Sequence, residues 1–297
     1  MKRGVAIVGA VTMIVASLLI RAHLDEKSTT GSTGTADGHS SIVCITELAD
    51  ACHTAYGNDV TIEDATTTAK RLAKGGTDID AWITFSGWPE LLAADNVSPA
   101  LDVKAVASTP LVIAAVKQRA AHLDCAANGW SCWLDAIGKP WSSVGGDATW
   151  GSVTVGIPPY PSGTGLLVQG SAATAYYGST DVGTNDPQYT ASQVALGKAS
   201  QDPNVLFNFI SQLPARYSAI GALQADVAAQ QGAKADQIQL FPLTPPAFAT
   251  AVVARVAGGD SVDAGKLAKP LTAAGWTSPV DSSGMPDGGV LLALSGI

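Results

Sequence analysis

Residues 42–85, IVCITELADACHTAYGNDVTIEDATTTAKRLAKGGTDIDAWITF, decide the fold. Three short runs rich in β-branched and aromatic residues, Ile42–Ile45, Val60–Glu63 and Ala81–Phe85, alternate with two segments of helical spacing. In the first segment, 47–56, the side chains of Leu48, Ala51, Cys52 and Ala55 share one helical face. The second can be capped by Thr66, Thr67 or Thr68, runs through Leu72 and stops at Gly75 and Gly76. After Phe85, Gly87-Trp88-Pro89 turns into a helix over 90–94, and Pro89 suits a first helical turn. Strand, helix, strand, helix, strand at such short spacings predicts an α/β sheet of parallel strands.

Toward the C-terminus the same alternation continues. Strands are expected over 111–116, 153–157 and 238–243. A largely helical stretch covers 120–137 with Trp130 and Trp133, and a Gly- and Pro-rich turn at 158–165 leads into a small-residue helix over 166–177. Residues 178–188 read as loop, and helices are expected over 190–197, 203–212 and 219–230. Pro245 and Pro246 can begin a helix over 247–256, another precedes Gly275, and the chain ends near the apolar run 290–294. No repeat of solenoid length is present.

In the other direction, Lys2 and Arg3 precede an apolar run over 4–20, followed by Arg21. Residues 1–27 therefore read as a signal peptide or a membrane anchor. The run lacks the amphipathic period of a buried core helix. Ala-x-Ala cleavage chemistry is not evident and no cysteine follows Leu18-Leu19-Ile20, so an uncleaved anchor is favoured over a cleaved signal. Residues 28–40, built of Ser, Thr, Gly, Asp and His, bury too little apolar surface to order and read as a flexible tether. This order places the body outside the cytoplasm, on the cell surface or in the periplasm.

Composition agrees with a 297-residue globular chain of net charge −8. After the first three residues no basic run remains, so a nucleic-acid partner has little electrostatic basis and none is expected. The four cysteines lie as two close pairs without CxxC metal spacing. Outside the cytosol, Cys44–Cys52 and Cys125–Cys132 is the favoured of three connectivities, four buried free thiols being the alternative.

The order of these motifs resembles type 2 periplasmic solute-binding proteins, the molybdate-binding-like branch of bacterial ABC-importer receptors. Ile42-Val43-Cys44-Ile45-Thr46-Glu47-Leu48 looks like the opening unit of that family, and Asp80-Ala81-Trp82-Ile83-Thr84-Phe85-Ser86-Gly87-Trp88 like its third strand and ligand loop. Ala107-Ser108-Thr109-Pro110-Leu111-Val112-Ile113-Ala114 looks like the hinge crossing. Gly156-Ile157-Pro158 with Ser162-Gly163-Thr164-Gly165-Leu166 resembles the second lobe's ligand loop, and Ala273-Ala274-Gly275-Trp276 the return to the first lobe. The resemblance spans 41–297. It implies a two-lobed, periplasmic-binding-protein-like (type 2) α/β fold behind an N-terminal membrane anchor. Lobe 1 would be 41–107 plus 239–297, and lobe 2 would be 108–238. A ligand would sit between them at strand ends and helix starts, where free backbone N–H groups and positive dipole ends converge.

The candidate ligand contacts are Thr46, Glu47, Ser86, Gly87, Trp88, Ser108, Thr109, Tyr160, Ser162, Gly163 and Thr164. Hydroxyls and close-approaching backbone suit a small polar solute, and Trp88 can stack on one. Each position also has a plainer reading: Thr46 and Glu47 as helix caps, Trp88 as core, Ser108 and Thr109 as a strand-entry turn, Tyr160 as surface. A carboxylate at Glu47 would repel an anion or occupy its dipole site, which leaves cationic or neutral solutes open. Ser162-Gly163-Thr164-Gly165 has no following lysine and is not a nucleotide loop. Arg216 and Arg255 read as a solvated face, with a ligand carboxylate as the alternative partner.

Catalysis has little basis. There is no Gly-x-Ser-x-Gly elbow, only four histidines, and no metal-ligand spacing. The expected function is an extracytoplasmic receptor that captures a small polar solute or oxyanion between two lobes for an ABC-type importer or sensor. It would need no cofactor and no metal, and its partners would be the solute, an ABC permease and the membrane. The alternatives are a membrane-anchored surface interaction protein that keeps the fold without a transport ligand and, more remotely, an extracytoplasmic hydrolase.

Overall fold

The computed structural model describes residues 41–76, 78–95, 100–123, 125, 129–159, 162–180, 217–230 and 236–295. The anchor and tether expected over 1–40, the helices expected over 190–197 and 203–212, Tyr160 and Arg216 lie outside the described residues.

The opening unit folds as β1 (Ile42–Ile45), a 3-10 turn over Thr46–Leu48, α1 (Ala49–Tyr56), β2 (Val60–Glu63), α2 (Ala65–Ala73), β3 (Ala81–Phe85) and α3 (Gly87–Ala94). β1 lies between β2 and β3 and is parallel to both, with Ile42 opposite Val60 and Ala81. All four residues of β1 and all five of β3 are buried, which explains why these strands read as continuous apolar runs.

β4 (Leu101–Val116) is 16 residues long and belongs to both halves of the sheet. α4 (Lys117–Ala120), α5 (Gly129–Ala136), β5 (Val155–Gly156), α6 (Gly163–Tyr177), β6 (Ala219–Leu223), α7 (Gln224–Gln230) and β7 (Ile238–Pro242) follow. The chain then returns through β8 (Phe248–Val256), and α8 (Ala264–Ala273) and α9 (Gly288–Ser295) close it. The strand order is β2-β1-β3-β8-β4-β6-β5, with β7 also paired to β4. β8 lies antiparallel between β3 and β4, its pairing with β4 running from Leu101↔Val256 to Pro110↔Phe248. The rest of β4 pairs antiparallel with β6 and β7. The sheet is thus mixed, because the chain crosses on β4 and comes back alongside it on β8.

Two expected helices are corrected. Residues 219–230 split into β6 and the short α7, and 247–256 form β8 rather than a helix. Both stretches are alanine-rich, yet each sits in the sheet interior with strand partners on hand. A buried apolar run has no periodicity to separate strand from helix, and tertiary pairing overrides alanine's helix propensity.

The main hydrophobic cluster runs through both ends of the sheet, from Val43, Ile45 and Trp88 to Trp133, Leu167 and Leu223, and a separate one gathers Val112, Ala114, Tyr217, Ile220, Val227 and Ile238. α9 packs on both α3 and α6, with Leu291 fully buried between them. Disulfides Cys44–Cys52 and Cys125–Cys132 join β1 to α1 and brace the start of α5. Among the described residues no helix is long and apolar enough to cross a membrane.

Candidate functional site

β1 and β3 run side by side, so their carboxyl ends deliver Thr46, Glu47, Ser86, Gly87 and Trp88 to one edge. The N-terminus of α6 meets that edge. Ser162 caps this helix in extended conformation: its Oγ accepts the Gly165 N–H at 2.9 Å and donates to the Pro159 carbonyl at 2.6 Å. That cap leaves the Thr164 N–H free to point outward, and it donates to Glu47 Oε1 at 2.9 Å. Trp88 Nε1–H donates to the Gly163 carbonyl at 3.2 Å. Gly163 packs closely on this edge: a Cβ there would lie 2.8 Å from Ile45 Cδ1 and 3.1 Å from the Phe85 ring, so those side chains would have to shift. Glu47, Trp88, Ser162, Gly163 and Thr164 therefore form one cluster spanning the two ends of the sheet.

The Glu47 carboxylate occupies the position at which a helix N-terminus attracts an anion. Burial pushes its carboxyl above the ordinary range. The Thr164 N–H, its own N–H and the Gly163 N–H pull it back, while nearby Asp64 pushes it up again. Asp226 on α7 is pushed up to about 7, first by burial and then by the charge of Glu47. Thr109, buried on β4, accepts the Ala225 N–H at 3.2 Å and so fixes the turn of α7 that carries Asp226. Two polar atoms of the cluster are buried with no hydrogen-bond partner. Glu47 Oε2 and Thr164 Oγ1 have none, and Thr46 Oγ1 reaches only Asp64 Oδ1, at 3.4 Å on the exposed side.

Other candidates are placed differently. The Ser108 hydroxyl is fully buried in the crossing, 2.8 Å from Thr250 Oγ1 and accepting the Val280 N–H at 3.0 Å. Trp88 is fully buried, edge-on to Trp82 with centroids 6.3 Å apart, so its ring does not face an open cleft in this conformation. Ser86 and Gly87 line a cavity of about 460 Å³ together with Glu90, Phe248, Thr250 and Met285. Arg255 pairs with Asp102 at 3.0 Å on the exposed strands. Among the described residues no group of three or more His, Cys, Asp or Glu side chains is placed to hold a metal ion. Asp226 is the residue that sequence reasoning missed. It sits in a segment read as one helix, and the structure carries it near the start of α7, after β6.

No protein-family model matches the sequence, and no curated protein matches it. Solved structures do match the fold. A ferric binding protein from Campylobacter jejuni superposes with a TM-score of 0.54 at 9% identity, covering 87% of this chain and 91% of that one. The iron-bound HitA of Pseudomonas aeruginosa gives 0.52 at 11% identity, covering 84% and 88%. An ABC transporter protein from Clostridium perfringens ATCC 13124 gives 0.50 at 13% identity, covering 80% and 85%. The chain has the α/β fold of periplasmic binding proteins, shared over most of its length with these structures.

Proposed function

We propose that this chain is an extracytoplasmic solute-binding receptor that closes two α/β halves, 41–107 plus 239–297 and 108–238, around a small polar solute. The observation that carries the reading is the convergence of strand ends from one half and a capped helix start from the other on Glu47, Trp88 and Thr164. The chain crosses between the halves within β4 at 107/108 and again at 238/239, where β7 starts beside β4, which supports the double crossing that hinge closure needs. Two disulfides and a fold shared with an ABC transporter protein support a place outside the cytoplasm and delivery to an ABC permease or a sensor. The basic and apolar N-terminus would tether it to the membrane through residues 28–40. The chemistry is binding, without turnover. The motif order favours the molybdate-binding-like branch for the chain's architecture, whereas Glu47 in the helix cradle argues against an oxyanion as the ligand.

The test is thermal unfolding of the full chain across a panel of cationic, neutral and anionic small solutes. A true ligand at about 100 times its Kd stabilises by about 2.7 kcal/mol, a Tm rise of roughly 5 °C or more for a body of this size. No shift with any class, and no small molecule retained in native mass spectrometry, would overturn the receptor reading.

One observation favours the second reading, an interaction protein that keeps the fold without a ligand. Ile45 and Phe85 already press against Gly163, so the facing walls touch. The same panel separates the two.

A further inference from the structure

The cavity of about 460 Å³ that Ser86 and Gly87 line lies between the crossing strands β4 and β8, the start of α3 and the segment 279–291 that runs into α9. None of Glu47, Trp88, Ser162, Gly163 and Thr164 lines it. Its volume falls within the range of small-molecule sites. Buried Leu167, Val252 and Leu291, with half-buried Phe248 and Met285, give it an apolar wall. Among the described residues two large apolar side chains are exposed, Val103 at 44% and Val280 at 43%, and both lie at this cavity. Single exposed apolar side chains are ordinary, but two at one mouth carry the apolar wall outward to a place that a ligand would cover.

Charge gives the class of ligand. None of the lining residues is basic, whereas Glu90, Asp281 and Asp287 are acidic. Among the described residues none of these three is in an ion pair: the pairs are Arg71 with Glu63 and Asp78, and Arg255 with Asp102. Both aspartates are exposed, and Asp287 Oδ1 accepts the Val290 N–H at 3.0 Å at the start of α9. Partial burial raises the Glu90 carboxyl, which leaves the two aspartates as the standing charge. A cleft lined by one sign of charge concentrates the opposite ion and repels its own. At an open mouth a cation keeps part of its water, so its charge is not buried along with an apolar body.

We propose that this cavity binds a small organic cation, with its apolar body against Phe248, Met285 and Leu291 and its ammonium group at the Asp281 and Asp287 carboxylates. The site goes beyond the receptor reading and does not require it, since no residue of the Glu47 cluster takes part.

The experiment is isothermal titration calorimetry of the full chain at low salt with 2-phenylethylammonium. Uncharged 2-phenylethanol, anionic 3-phenylpropanoate and methylammonium, which lacks the apolar body, are the controls. The phenylethyl cation is expected to bind at least fivefold more tightly than any of the three, and its margin over the alcohol should shrink in about 0.5 M sodium chloride as the mouth is screened. Asp281→Asn with Asp287→Asn should bring the cation down to the affinity of the alcohol, the asparagine at 287 keeping the oxygen that caps α9. Ala105→Phe, at an exposed position of β4 that lines the cavity, should fill it and abolish binding of the cation with circular dichroism unchanged. Should that variant fail to fold, the asparagine pair and the salt dependence decide. Equal affinity for cation and alcohol overturns the proposal, as does silence of the cation. Cation binding that survives Ala105→Phe lies elsewhere and overturns the site. Each of these failures leaves the receptor reading to its own solute panel.

Discussion

Burial pushes Glu47 and Asp226 toward their protonated forms, and the two respond differently because only one has donors. Glu47 accepts a helix N–H, which offsets part of its burial. Asp226 has no such help and holds its proton up to about 7. The sign of the resulting pH effect follows from linkage. An unfolded aspartate loses its proton near 4, so between about 4 and 7 the folded chain binds more protons than the unfolded one. Stability should therefore be greatest below about pH 4 as far as this group is concerned, fall through that window, and level off above pH 7. Urea midpoints measured across the range should show Asp226→Asn flattening this fall by roughly 2–4 kcal/mol and stabilising the chain at pH 8. A variant whose profile runs parallel to the unaltered chain would show that Asp226 is ordinary surface.

At the scale of elements, the clearest local brace is Cys125–Cys132, which closes a short loop at the start of α5, where Trp130 and Trp133 are buried. Trp130 Nε1–H donates to Ser171 Oγ at 3.0 Å, so α5 is held on α6, the helix whose other end forms the site. Loop-closure entropy for so short a loop gives about 2.5 kcal/mol. Cys125→Ala with Cys132→Ala should lower stability by that order, read as a shift in urea midpoint, with the solute site retained. Legibility also divides at this scale. β1, β2 and β3 were readable to the residue because each is a short β-branched run between turn signals. β6 and β8 were not, since alanine-rich strands in a sheet interior carry neither alternation nor a β-rich composition. The placement of these candidate residues followed from the first kind of element: Thr46, Glu47, Ser86 to Trp88 and Ser162 to Thr164 stand at strand ends and a capped helix start that local sequence specifies. Asp226 depended on the second kind, and the burial of Ser108 under Thr250 and Val280 depended on pairing across more than a hundred residues of chain.

In the whole molecule, the two ends of the sheet are joined in ways of unequal strength. β4 and β8 pair along nine residues and pass through the middle of the sheet, where Ser108 and Thr250 share a buried hydrogen bond. Covalent continuity and this ladder make the crossing the stiff join. At the site edge the join is made by the Thr164 N–H on Glu47, the Trp88 indole on the Gly163 carbonyl and the contact of Gly163 with Ile45 and Phe85. A hydrogen bond of this kind contributes on the order of 1 kcal/mol, more where the carboxyl is ionised. Glu47→Ala removes that bond and leaves the Thr164 N–H without its acceptor, while touching nothing in β4 or β8. Hydrogen exchange on the full chain should then show the first turn of α6 exchanging at least tenfold faster, with the paired residues of β4 and β8 keeping their protection. Faster exchange spread evenly over β8 would mean that the substitution loosens the entire body, and the edge would lose its standing as the part that opens.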